Sequence, residues 1–217
     1  MALPVFATDE DILLRAPGDY HLLCPRDQVL ARGTDGTLVG PWGLQSASVD
    51  FQARGVRPGH VAQLIAPGSG GMNPARLYVV DSASPASASL RVPGQAAGQG
   101  EPPSPPNSAI RTEFLIATLG PQIADVTTAL DARFRLARDL PADAQVEIRA
   151  VIVLTVLERR YQEVSRCHGE HNDSFVAKAR ALANERDERL ARLAIRLDSS
   201  SNPAAPHPAP WGTRLSR

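Results

Sequence analysis

Lysine is almost missing from this chain: Lys178 is the only one, and arginine supplies the other basic side chains. A surplus of either charge is missing as well. Seven Arg stand against nine acids before Ala109, and sixteen bases against fourteen acids from there on. Coating nucleic acid by neutralising phosphates needs a basic surplus on one face, so the balance argues against a DNA-coating role and leaves passive contact with DNA open. No stretch approaches 18 consecutive apolar residues, and no basic region followed by an apolar run opens the sequence. The expectation is a soluble protein with no membrane partner, not exported by an ordinary signal. Cysteine is scarce too: Cys24 and Cys167 lie in different halves and give no disulfide framework, as expected of free buried thiols in a reducing cytoplasm. Catalytic signatures are also lacking. There is no Gly-x-Ser-x-Gly elbow, no His-Glu-x-x-His helix and no dinucleotide fingerprint, and Gly68-Ser-Gly-Gly71 is not followed by the Lys-Ser/Thr of a phosphate-binding loop. The sequence therefore predicts a protein that is not an enzyme and holds no cofactor.

What the chain does have is punctuation. A Pro/Gly-rich stretch at 93–108 separates a Gly-turned, strand-like half from a strongly helical half, and a second Pro-rich stretch follows 198. The fold class expected is α+β: a small β-barrel or sandwich-like domain with a short N-terminal helix over 1–94, a linker over 95–108, a helical bundle over 109–198 and an extended tail over 199–217.

Thr8 before Asp9, Glu10 and Asp11 supplies a capping hydroxyl and early acids for a short helix that Pro17-Gly18 ends. Gly33-Thr-Asp-Gly36 and Gly40-Pro-Trp-Gly43 read as turns. The alternation of Ala47, Val49 and Phe51 with Ser46, Ser48 and Asp50 predicts a strand. Further strands are predicted over 61–65, 77–80 and 89–92, after a turn at Val56-Arg-Pro-Gly59. Ile116, Leu119, Ile123, Val126, Leu130 and Phe134 then recur at helical spacing. Over 143–166, Val146, Ala150, Val153, Leu157, Tyr161 and Val164 form one stripe, which Ile148, Ile152 and Val156 widen, so this helix must be covered on more than one side. A last helix over 175–195 carries Phe175, Ala179, Leu182, Leu190 and Leu193 in a stripe that Arg186 interrupts.

Candidate chemistry is thin. Cys167, His168, Glu170 and His171 are metal-ligand types, with His21 and Cys24 as distant partners, but no paired ligands repeat at the spacing of a zinc site. A polar inter-helix turn explains the cluster, and no metal is expected there. Asp9-Glu10-Asp11 suits a helix first turn better than an acid/base pair, because consecutive side chains diverge. Arg180, Arg186, Arg189, Arg192 and Arg196, interspersed with Glu185, Asp187 and Glu188, form a mixed-sign face of the kind usually solvated and ion-paired, with a partner surface as the alternative.

The segment Glu113-Phe-Leu-Ile-Ala-Thr-Leu-Gly-Pro-Gln-Ile123, the amphipathic stretch through Arg133-Phe134, the apolar Ala150-Val-Ile-Val-Leu-Thr-Val-Leu157 and the late Ala/Arg helix together resemble the head–tail connector proteins of tailed bacteriophages, also called adaptors or head-completion proteins. The resemblance spans residues 110–217 and rests on helix order and texture. It implies a small helical bundle that assembles with copies of itself, commonly as a ring of twelve, beneath the portal protein of a capsid. Such a ring extends the channel for double-stranded DNA without sequence specificity and docks the next neck or tail protein. The location implied is the virion neck, after assembly in the bacterial cytoplasm. The widened stripe places the expected homo-oligomer interface on Ile148, Ile152 and Val156. The resemblance implies a C-terminal tail reaching the portal, and the side chains of residues 199–217 make Trp211, Arg214, Leu215 and Arg217 its expected anchors. Other neck or tail-completion proteins, or a cellular nucleic-acid-binding module with a barrel beside a helical domain, are the alternative readings.

Overall fold

In a computed structural model the chain is described over residues 5–65, 76–103, 109–136, 140–167 and 173–199. It divides into two compact units: Thr8–Pro121, and the residues before Thr8 together with those after Pro121.

The first unit is a closed six-stranded antiparallel barrel. Its strands are β1 (Val29–Val39), β2 (Gly43–Gln45), β3 (Val61–Ile65), β4 (Arg76–Ala83), β5 (Ser87–Arg91) and β6 (Ala109–Ala117), paired in the order β1-β2-β5-β4-β3-β6 and back to β1. Closure removes every free edge, as an antiparallel sheet of short strands requires. Helices α1 (Asp9–Arg15) and α2 (Tyr20–Leu23) and a 3-10 turn (Arg26–Gln28) precede it. The interior holds Leu38, Leu44, Phe51, Leu64, Tyr78, Val80, Leu90, Phe114 and Ile116, with the Phe51 and Phe114 ring centroids 5.6 Å apart.

Three expectations change here. The Pro/Gly-rich stretch does not link domains; it is the β5–β6 connection inside the barrel. The helical half accordingly does not begin at Ala109, because Ala109–Ala117 is a strand, pairing with β1 through Leu38–Ile110 and with β3 through Leu64–Phe114. Thr112, Phe114 and Ile116 point inward, while Arg111 and Glu113 stay exposed. This is the period of two that strands impose, and Ile116 belongs to it rather than to a helix.

The second change concerns Gly33 and Gly36, which lie within β1 rather than in a turn. A bulge falls between them, and a Cβ on either would meet the Phe114 ring at 2.7 Å. These glycines make room for the aromatic core. Third, 46–51 is not a strand. Both Asp35 oxygens lie 3.0 Å from Ser46 Oγ, and Oδ2 accepts from the Ala47 and Ser48 amides, also at 3.0 Å. The loop is thereby pinned, and Phe51 turns into the core.

The second unit contains α3 (Gly120–Phe134), α4 (Ala142–Cys167) and α5 (Asp173–Ser199). α4 and α5 pack closely, and Tyr161–Phe175, Glu158–Arg186 and Glu147–Arg189 meet in a sequence that makes the pair antiparallel. α4 is tied to α3 by Arg159–Asp125 at 2.8 Å, and the Arg149 Nε donates to the Phe6 carbonyl at 2.9 Å. All side chains of residues 151–158 are buried, so the middle of α4 is covered on every side. No helix among the described residues is long and apolar enough to cross a membrane.

Candidate functional site

Ile148, Ile152 and Val156, expected at an interface with another copy, are each 0 % exposed within this chain. That expectation is corrected: the surplus apolar face of α4 is covered without a second molecule. Val146, on the same helix, is the apolar residue that remains exposed.

Charge enters the covered region in a controlled way. Glu147 and Glu158 of α4 are buried, and each receives an arginine from α5: Arg189 reaches Glu147 at 3.1 Å, and Arg186 pairs with Glu158. Arg186 also holds Asp187 at 2.9 Å, and Arg189 holds Glu185 at 3.4 Å. The apolar stripe of α5 is interrupted at Arg186 because α4 presents a carboxylate there. Two arginines of the mixed-sign face thus serve the seam between the helices, which periodicity alone did not reveal. The signal available was the placement of Glu147 and Glu158 on an otherwise apolar helix.

Beside that seam, a groove of about 210 Å³ lies between the last turns of α4 and the first turns of α5, with Val176, Ala179 and Ala183 as its apolar part and Arg166 and Arg180 on its walls. Both arginines are exposed, and among the described residues neither has a carboxylate partner. Arg159, Arg160, Arg186, Arg189 and Arg192 all do. Lys178 sits above the stacked Tyr161 and Phe175 rings, its Nζ 5.4 Å from each centroid.

Of the possible metal ligands, Cys167 is exposed at the end of α4, Cys24 is half-buried and His21 is exposed on α2. His168, Glu170 and His171 lie outside the described residues. Among the described residues no three His, Cys, Asp or Glu side chains converge as a metal site. Gly68-Ser-Gly-Gly71 and the anchors Trp211, Arg214, Leu215 and Arg217 also lie outside them.

The acidic triplet at the N-terminal helix has separated into three roles. Asp11 accepts from the Thr8 amide at 2.8 Å and its hydroxyl at 3.0 Å, completing the cap. Glu10 takes Arg91 in a two-pronged pair at 2.5 Å and the Gly94 amide at 2.8 Å, and the arginine's hydrogen bonds hold its carboxyl below the usual range. Asp9 is buried, and its oxygens accept from Thr118 Oγ1 and the Leu119 amide, both at 2.6 Å. Burial raises its pKa to about 6, and these two hydrogen bonds offset that only in part. Two of the three acids therefore do more than cap the helix.

The class these observations define is an α+β protein with a closed six-stranded antiparallel barrel and a separate helical unit. No protein-family model matches the chain, and neither a curated protein nor a solved structure is significantly similar to it.

Proposed function

We propose that this chain is a structural, non-enzymatic connector that assembles as a ring under the portal of a tailed phage or phage-like particle, extends the DNA channel and docks the neck. The observation that carries the reading is the contrast on α4 and α5: five arginines are neutralised within the chain, while Arg166 and Arg180 flank an open, small-residue groove without a carboxylate. Such a surface suits an acidic neighbour, where desolvated charge-assisted contacts outweigh those left in water. In this reading α3, α4 and α5 are the ring-building bundle, and ring contacts use the outer surface of the helices rather than Ile148, Ile152 and Val156. Near-zero net charge leaves passing DNA ungripped. The Pro-rich tail binds the portal through Trp211 and Leu215, assisted by Arg214 and Arg217. A Pro-rich segment loses little entropy on docking, and a central Trp typically contributes about 2 kcal/mol or more.

The test is co-sedimentation with purified portal. Deleting residues 200–217, or Trp211→Ala, should leave the thermal unfolding of the two units unchanged and weaken portal binding about tenfold or more. Full binding by the deleted protein, or a wild-type chain that stays monomeric and unbound at every concentration, overturns the proposal.

A further inference from the structure

We propose that the groove between the end of α4 and the start of α5 docks an acidic helix of another protein, with Arg166 and Arg180 as its charge contacts and Val176, Ala179 and Ala183 as its apolar floor. The inference rests on the reading of this surface as one that meets an acidic neighbour. Farther along the same two helices an occupant is already in place. α3 buries Ile123, Val126 and Leu130, gives Asp125 to Arg159 of α4 and sets Arg133 near the Asp187 charge of α5, so it crosses the pair at that height. Arg166 follows Arg159 by seven residues on α4, and Arg180 precedes Asp187 by seven on α5. Seven residues are about two turns, which return each arginine to the face that meets α3. The two helices are antiparallel, so both steps run the same way along the pair. They rise about 10 Å, the spacing at which helices pack side by side. A helix in the groove would therefore lie across α4 and α5 as α3 does, one helix-width away.

Size and charge select the occupant. At about 210 Å³ the groove is smaller than the about 300 Å³ at which small-molecule sites begin, whereas an aliphatic floor of this size suits the apolar stripe of a helix. The walls carry two cations without a carboxylate among the described residues. A carboxylate flanking the incoming stripe would meet them as Asp125 meets Arg159, at 2.8 Å. A second copy is a poor source of that carboxylate. Its helical acids are engaged within the chain, Asp125 with Arg159, Glu147 with Arg189, Glu158 with Arg186 and Glu163 with Arg160.

The probe is a stapled synthetic helix whose leucine–alanine stripe is flanked on both sides by glutamates, set beside a twin with glutamine at each of those places. Binding to the full chain is read by fluorescence anisotropy. The glutamate helix should bind at least about tenfold more tightly than its twin at low salt, and the preference should shrink as salt is raised. Arg166→Glu together with Arg180→Glu should abolish the preference. Both positions are exposed, so the thermal unfolding of that variant should match wild type. Ala183→Trp, which fills the floor without changing a charge, should also weaken the glutamate helix.

Equal binding of the two helices, or a preference that survives the arginine reversal, overturns the inference. So does a wild-type chain that self-associates in sedimentation and becomes monomeric on that reversal, because the groove then belongs to a second copy. The connector reading fails by a different result. A chain that takes the glutamate helix through this groove and never sediments with portal keeps the inference and loses the connector reading, and a chain that sediments with portal but shows no glutamate preference does the reverse.

Discussion

Phe51, Phe114 and their neighbours meet in an apolar barrel interior, and the charged groups of that unit stay outside it, exposed at Arg76–Glu101 and part-buried between α1 and β5 at Glu10–Arg91. The helical unit instead carries carboxylates into its seam, at Glu147 and Glu158, and sends arginines from α5 to meet them. The difference follows from geometry. A closed barrel satisfies its backbone between strands and needs its inward side chains only to fill space. Two helices satisfy their backbones separately, so the side chains of the seam must fix how one helix registers on the other, and charge placed at two heights does this.

Replacing Phe114 with alanine should break the barrel side of this contrast most severely. It removes the ring that fills the centre and covers Gly33 and Gly36, at a cost of about 3–5 kcal/mol in urea unfolding. A cost below about 1 kcal/mol would mean the ring does not organise the core. In the seam, Arg186→Met should cost about 2 kcal/mol, because Glu158 is then left buried without its partner. Adding Glu158→Leu should recover most of that loss. If the double variant is no better than the single one, the charge is not what registers the helices. The smallest effect belongs to the barrel surface: Arg76→Ala, although its contact with Glu101 is 2.7 Å, should change stability by less than about 0.5 kcal/mol and vanish in high salt.

Strands β3, β4 and β5, helix α1 with its cap, and helices α4 and α5 could be read from period and turn chemistry. β6 was hidden because Ile116, Leu119 and Ile123 happen to fall at helical spacing across a strand end, a junction and a helix start. The alternation of Thr112, Phe114 and Ile116 with Arg111 and Glu113 was present but shorter. Gly33 and Gly36 looked like turn residues because glycine's permissiveness is local, whereas the reason for these two is an aromatic ring eighty residues away in sequence. The same limit hid the roles of Asp9 and Arg186. Each is explained by a residue on another element, Thr118 for the first and Glu158 for the second, and neither spacing nor propensity carries that information.

The late position of β6 has a consequence for synthesis. It is the stave that joins β1 to β3, pairing Val29 with Ala117 on one side and Val61 with Ala117 on the other. A ribosome delivering this chain releases five strands before the sixth, so for that interval the nascent sheet presents two raw edges, β1 and β3. Closure must wait on the most sequence-distant pairing in the barrel, which makes it slow relative to the local α4–α5 hairpin. A fragment cut at residue 94 would keep those edges permanently and stick to its own copies, whatever the quality of its core.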